Sequence, residues 1–220
     1  YCRQLAAQGW QVVAAVRSPE RAQELRALAY SRPGQVRILK LDVASSTDVE
    51  AVARELRGTS LDMLINNAGT FGPEGSPGGM RYQSLDNMDY GIWREILEIN
   101  LLAPFRLTVA LAPNLRLAPK PVVVMLSSDL GSIANNRLGQ SHAYRTSKAG
   151  LNMLTKGIAN EWRDMIVVSM APGWCRTELG GEEAEIDPAE SVRAQLQAFE
   201  GLHAGHSGQF LDRFGQPVAW

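Results

Sequence analysis

Tyr144 and Lys148 stand four residues apart in the stretch HAYRTSKAGLNML, His142 to Leu154, which otherwise has the pattern of a helix. Four residues along a helix advance about 6 Å and return to nearly the same face, so the two side chains lie next to each other. A phenol beside an ammonium is a candidate acid–base pair, because the cation stabilises the phenolate. At about 4 Å and an effective dielectric of about 20, that attraction is about 4 kcal/mol. At about 1.36 kcal/mol per pKa unit it brings a tyrosine from about 10 down by about three units, close to neutrality. The spacing alone arises by chance in about one comparable chain in ten, so it needs support from other residues.

That support lies just after apolar runs. LDMLI is followed by Asn66-Asn67-Ala68-Gly69, where small residues let the backbone approach a ligand and asparagine ties turns together. PVVVML is followed by Ser127 and Ser128, whose hydroxyls can donate to a substrate oxygen. IVVSM runs into APGWCRT, Ala171 to Thr177, where Pro172 and Gly173 force a sharp exit and Thr177 offers a hydroxyl. Taken singly, each is also an ordinary way to end a strand. Asn100, in LEINLLAPF, is costly to bury unless its amide is satisfied, and Pro104 removes a helix donor nearby. A kink bridged by the asparagine is the structural reading, and a water held there for proton relay is the functional one.

The elements that must position these residues alternate in type. Trp10–Val16, VRILKLDV, LDMLINNAG, PVVVMLSS, MIVVSMAPG and SGQFLD read as strands, apolar throughout. Between them, helices are expected from Pro19, from a cap at Ser45, Ser46 or Thr47 to a stop at Gly58, over 88–115, over Ala143–Trp162, and over DPAESVRAQLQAFEGL. This rhythm predicts a single α/β domain over 1–220, a doubly wound parallel sheet of Rossmann type with helices on both faces. Ligands bind such sheets at the carboxyl ends of the strands, where the residues above fall. The start, YCRQLAAQGW, reads as a helix already under way, so a first strand and glycine-rich turn are expected ahead of Tyr1 in a longer protein.

With 45% hydrophobic residues the chain can bury a substantial core, and a net charge of −1 gives no field toward nucleic acid or an anionic membrane. No apolar run approaches the roughly 20 residues that span a bilayer. Cys2 and Cys175 make no metal-ligand spacing and read as free thiols of a reducing cytoplasm.

In order, NNAG (66–69), Asn100, LSS (126–128), YRTSK (144–148) and PGWCRT (172–177) resemble the short-chain dehydrogenase/reductase family. SSDLGSIANN, AYRTSK, PGWCRTELGG and the ending SGQFLDRFGQPVAW are similar to its C-factor/sniffer-like carbonyl reductases. The resemblance implies a catalytic tetrad of Asn100, Ser128, Tyr144 and Lys148. Ser128 and Tyr144 are 16 residues apart, longer than the family's usual spacing, so a short insertion falls in IANNRLGQSH and Ser127 stays open as an alternative. Ser132 has nearly the usual spacing but lies beyond the strand end.

The resemblance further implies cofactor contacts at Arg17 and Ser18, Asp42 and Val43, Asn66, Ala68 and Gly69, Tyr144 and Lys148, and Pro172, Gly173, Cys175 and Thr177. Members that use NAD usually carry an acid after the second strand. AAVRSP has Arg17 instead, which can pair with a 2′-phosphate, so NADP is favoured over NAD. The implied chemistry is hydride transfer to a small carbonyl substrate, with Ser128 donating to the carbonyl oxygen and Tyr144 delivering the proton. Lys148 would hold the cofactor ribose, with relay to water at Asn100.

Loops 70–87 and 178–188 are expected to shape the substrate pocket. Many members pair through the helices carrying Asn100 and Tyr144, and an insertion before the tyrosine can block this, which leaves a homo-oligomer open. A non-catalytic nucleotide-binding scaffold or signalling protein is the alternative function. A sugar-nucleotide epimerase shares the Tyr–Lys pair but usually has a larger C-terminal region than the 45 residues that follow Cys175 here.

Overall fold

The computed structural model describes residues 1–73 and 75–220, apart from the side chain of Pro77; Glu74, in the expected 70–87 loop, lies outside the described residues. They form two compact units, 1–57 and 58–220.

The N-terminal unit runs α1 (Cys2–Ala7), β1 (Val12–Val16), α2 (Gln23–Ser31), β2 (Val36–Lys40) and α3 (Ser46–Glu55). β1 and β2 pair in parallel, with Val12 opposite Val36 and Val16 opposite Lys40. Ala6, Val12, Ala14 and Val36 form its core, and Leu25 and Leu28 of α2 pack against them. α3 begins at one of its three expected caps: the Ser45 side chain accepts from the Asp48 N–H at 3.1 Å. Pro19 does not open the long helix its position suggests. It starts a 3₁₀ turn, Pro19–Arg21, closed by the Ala22 N–H on the Pro19 carbonyl at 3.3 Å, and α2 begins only at Gln23.

The C-terminal unit holds β3 (Met63–Asn66), a short α4 (Gly75–Gly79), α5 (Tyr90–Leu97), α6 (Ala103–Leu115), β4 (Val122–Leu126), α7 (His142–Glu161), β5 (Ile166–Ala171), α8 (Pro188–Glu200) and β6 (Phe210–Asp212). Its four strands lie side by side in chain order, all parallel. Every residue of β4 and β5 is buried, which requires cover on both faces and explains their unbroken apolar sequences. Val123, Met125 and Val167 from these strands pack with Leu115 of α6 and Leu151 and Ile158 of α7.

Register decides where the chemistry falls. Asn66 pairs with Met125, Leu126 with Met170, and Ala171 with Asp212. The four strands therefore end at one edge, and the residues that follow each strand gather there.

The expected helix over 88–115 is interrupted. α5 passes through a π-helical turn, Glu98–Leu102, before α6. The Ala103 N–H donates to the Glu98 carbonyl, five residues back, and Pro104 has no N–H to close an α-helical bond to the Asn100 carbonyl. By length and composition, Tyr90–Leu115 is the one helical segment among the described residues apolar enough to cross a membrane. Here Ile96, Ala103, Leu107, Leu111 and Leu115 are all buried in the unit.

Candidate active site

Tyr144 and Lys148 lie in the first two turns of α7, on the face that the helix turns inward, and are 6% and 4% exposed. Lys148 Nζ sits 5.7 Å from the centroid of the Tyr144 ring. It donates to the carbonyl of Leu126, the last residue of β4, at 2.7 Å. An ammonium has three hydrogens, so this bond orients it without using it up. A side chain at Gly69 would come 3.4 Å from Asn100 Oδ1 and 3.6 Å from Lys148 Nζ, so the glycine leaves the ammonium approachable from that side.

Among the three candidate serines, Ser128 is the one whose hydroxyl acts on the Tyr144 phenol, lowering its proton affinity, while its Oγ accepts from the Leu130 N–H at 3.2 Å. Ser127 turns inward and donates to the Lys148 carbonyl at 3.5 Å. Ser132 donates to the carbonyl of Ala219 at 2.6 Å, tying down the C-terminal tail. Alternation along the strand end points successive serines to opposite sides.

Asn100 is fully buried, but its amide does not bridge its own disturbed helix as expected. Oδ1 accepts from the Thr70 N–H at 2.8 Å, while Nδ2 donates to the Thr70 carbonyl at 2.8 Å and to Ser147 Oγ at 3.0 Å. The π turn rotates the side chain off the helix and toward the end of β3, where unpaired backbone groups are available.

Burial reverses the downward shift expected for Tyr144 beside a cation. Tyr144 is pushed up to about 12, first by desolvation, with the Asp129 carboxylate adding to this and the Ser128 hydrogen bond opposing it. Lys148 is pushed down to about 8 by desolvation. Attraction between the two charges favours both ionised forms, but the loss of water penalises the charged form of both groups and outweighs it. The pair therefore rests with the phenol protonated.

The remaining expected cofactor residues are distributed along strand ends. In the N-terminal unit, Arg17 is exposed and Ser18 half-buried just after β1. Asp42 and Val43, also half-buried, follow β2, and Asp42 Oδ1 accepts from the Ala44 N–H at 3.0 Å. In the C-terminal unit, Ala68 and Gly69 are exposed. The side chain of Asn66 points into the core, donating to Thr108 Oγ1 at 3.0 Å, so only its backbone faces the strand edge. Pro172, Gly173 and Cys175 are half-buried, and Thr177 is exposed with Oγ1 accepting from the Gly180 N–H at 3.1 Å. Both cysteines are free.

Four contributors were not evident from sequence. Thr70 and Ser147 hold Asn100, Phe71 packs its ring against Tyr144 at 4.6 Å between centroids, and Gln83 accepts from the Tyr144 N–H at 2.8 Å. Ser147 carries a usable signal, lying three residues beyond Tyr144 on the buried face of the same helix. Gln83 carries none, since it sits in a loop 61 residues away.

The family model for short chain dehydrogenases matches residues 1–187. The chain belongs to the short-chain dehydrogenase family. It is a short-chain dehydrogenase/reductase, an oxidoreductase acting on CH–OH and C=O groups. It is 37% identical over 162 residues to the C-signal of Myxococcus xanthus, which covers 73% of this chain and 93% of that one. The structure is similar to that of an NADPH-bound carbonyl reductase from chicken fatty liver, with TM-score 0.85, 33% identity, and 96% of this chain and 88% of that one covered. It is also similar to the carbonyl reductase Sniffer of D. melanogaster, with TM-score 0.86, 28% identity and coverages of 94% and 87%. The short-chain dehydrogenase thus has a parallel sheet with flanking helices of Rossmann-like α/β type. Its Tyr144, Lys148, Ser128 and Asn100 lie at the carboxyl edge of that sheet, where ligands bind in such folds.

Proposed function

We propose that this short-chain dehydrogenase is an NADPH-dependent carbonyl reductase in which Tyr144 is the acid. The observation that carries the reading is the buried Tyr144 ring with Lys148 Nζ 5.7 Å from its centroid, in a setting where burial raises the phenol's proton affinity and the Ser128 hydroxyl lowers it. A protonated donor is the form needed to reduce a carbonyl rather than to oxidise an alcohol. Ser128 fixes the carbonyl oxygen next to the phenol, and Tyr144 delivers its proton to that oxygen. Lys148, held by the Leu126 carbonyl, stabilises the phenolate that results and would hold the nicotinamide ribose. Asn100 fixes the end of β3 through Thr70, and with it the floor beside Lys148. NADPH, when bound, supplies the hydride.

The residues present suit that cofactor. No acid stands at the end of β1, and the exposed Arg17 with Ser18 offers charged and hydroxyl donors for a 2′-phosphate. Gly69, without a side chain, leaves Lys148 reachable. Within the C-terminal unit, Pro172, Gly173, Cys175 and Thr177 follow β5 and would contact the nicotinamide. The NADPH-bound carbonyl reductase among the structural relatives supports the same choice.

The test mixes the full chain with NADPH and a panel of aldehydes, ketones and quinones and follows the loss of reduced-nicotinamide absorbance. Turnover that falls by several orders of magnitude in Tyr144→Phe, with NADPH binding retained, is the expected result. Full activity in that variant refutes the assignment. A second reading, a signalling protein of the same fold, is favoured by the similarity to C-signal. It is supported if no carbonyl is reduced while NADPH still binds.

A further inference from the structure

The helix that carries Tyr144 has an unusual start. Gly139, Gln140 and Ser141 take φ values of 65°, 55° and 47°, three left-handed residues in succession. Two of them are not glycine, and such a conformation is unfavourable for residues with a Cβ. Arg145 stabilises the turn from within, its Nε donating to the carbonyls of Gly139 at 2.8 Å and Gln140 at 3.1 Å. Ser141, the residue before the helix, makes no capping hydrogen bond with its side chain. The exposed N–H groups of the first turn need acceptors from elsewhere.

Gln83 supplies two. Its backbone carbonyl accepts from the His142 N–H at 3.2 Å, and its side-chain Oε1 accepts from the Tyr144 N–H at 2.8 Å. Its Nε2 donates to the Phe71 carbonyl at 2.6 Å. Gln83 is fully buried, and its own backbone is pinned by the Met80 carbonyl at 3.1 Å and by a bridge to Met88. The Phe71 ring in turn lies on Tyr144. One glutamine thus fixes both the main chain of the tyrosine and the segment that covers its ring.

We infer that Gln83 is a positioning residue for Tyr144, capping the catalytic helix from a distant loop and setting where the phenol stands. This rests on the carbonyl reductase reading for its kinetic consequence only. The charged groups around the phenol are Lys148 on its own helix and Asp129 after β4.

The test uses the full chain with tyrosine labelled at the phenolic carbon, the Tyr144 resonance being the one absent in Tyr144→Phe. In Gln83→Met, which keeps the volume and removes both side-chain hydrogen bonds, the resonance is expected to shift. Its titration falls toward the ordinary tyrosine value of about 10. Turnover drops about 100-fold, the scale expected for a misplacement of about 1 Å, while the KM for NADPH stays within about twofold. An unshifted resonance with unchanged titration in folded Gln83→Met overturns the inference, whether or not any carbonyl is reduced. If the resonance shifts as expected but no carbonyl is reduced by the parent chain, the reductase reading fails and the positioning role stands.

Gln83→Glu covers the case in which Gln83→Met does not fold. A protonated carboxyl has the same donor and acceptor as the amide, so both bonds survive at low pH. When it ionises, the donor to Phe71 is lost and a charge appears beside Tyr144. Turnover and the Tyr144 resonance should then show a new inflection at that ionisation, with activity on its acid side. A profile superimposable on the parent's overturns the inference.

Discussion

Asn100 and Thr70 hold each other by two hydrogen bonds of 2.8 Å, the Thr70 N–H donating to Oδ1 and the Thr70 carbonyl accepting from Nδ2. The buried amide of Asn100 thereby satisfies both backbone groups of Thr70, in the irregular segment that follows β3. Asn100→Ala removes this clamp and the bond to Ser147, and leaves polar groups without partners. The expected cost is about 2–4 kcal/mol. At about 2–4 °C per kcal/mol for a chain of this size, Tm falls by roughly 5–15 °C. A calorimetric Tm within a degree of the parent contradicts the clamp.

Gly131 is the second constraint on the helix. A Cβ there would lie 2.9 Å from Lys148 Cβ and 3.0 Å from the Lys148 carbonyl carbon. Neither atom is the far end of a flexible side chain, so the helix itself must shift. Gly131→Ala is expected to destabilise by about 1–3 kcal/mol in a denaturant titration and to lower turnover together with stability.

The three serines have separate roles, and substitution separates them. Ser128→Ala removes the hydroxyl that acts on the Tyr144 phenol and should lower turnover by about 10²–10³-fold with little change in Tm. Ser132→Ala loosens the tail at Ala219, costing about 1 kcal/mol of stability, and leaves turnover near that of the parent. Equal kinetic effects in the two variants would remove Ser128 from its assigned place.

The pH dependence follows from burial. Lys148 titrates at about 8 in the fold and at about 10.4 when unfolded, so between these values the unfolded chain binds more protons. Stability contributed by this group therefore rises from about pH 8 to about pH 10, and falls as pH drops through the folded value. Tyr144 acts above that range. Its folded value of about 12 exceeds the unfolded value of about 10, so its contribution is present below pH 10 and is lost as pH rises toward 12. Unfolding free energies measured across the interval from about pH 8 to about pH 10 should rise in the parent and flatten in Lys148→Met.

Arg17 bears on the choice of cofactor. If it meets a 2′-phosphate, Arg17→Ala should raise the KM for NADPH by roughly 10–100-fold, the size of one charge-assisted bond, and leave that for NADH unchanged. Equal changes for both cofactors would place the 2′-phosphate elsewhere.

Much of the molecule is readable from local pattern. Apolar runs such as VVVML and IVVSMA must be buried on both faces, so with the alternation of strands and helices they pointed to parallel strands, and Tyr144 and Lys148 share a helix face through spacing alone. Chemistry that acts within one turn narrowed the α3 cap to Ser45, Ser46 or Thr47, and the fold uses Ser45. Such features depend on residues close in sequence.

What tertiary structure decided involves distant partners or water. Sequence could not show that Asn100 clamps Thr70, 30 residues away, because no local pattern encodes which unpaired backbone group a buried amide will meet. It could not show Gln83 at Tyr144, because a loop residue becomes a cap only when the fold delivers it there. It could not set the tyrosine's proton affinity, because desolvation depends on everything packed around the group and here outweighs the neighbouring charge. The sequence by itself determined which groups could do chemistry and on which element ends they sit; the packing of the fold determined their partners, and in which protonation state the tyrosine waits.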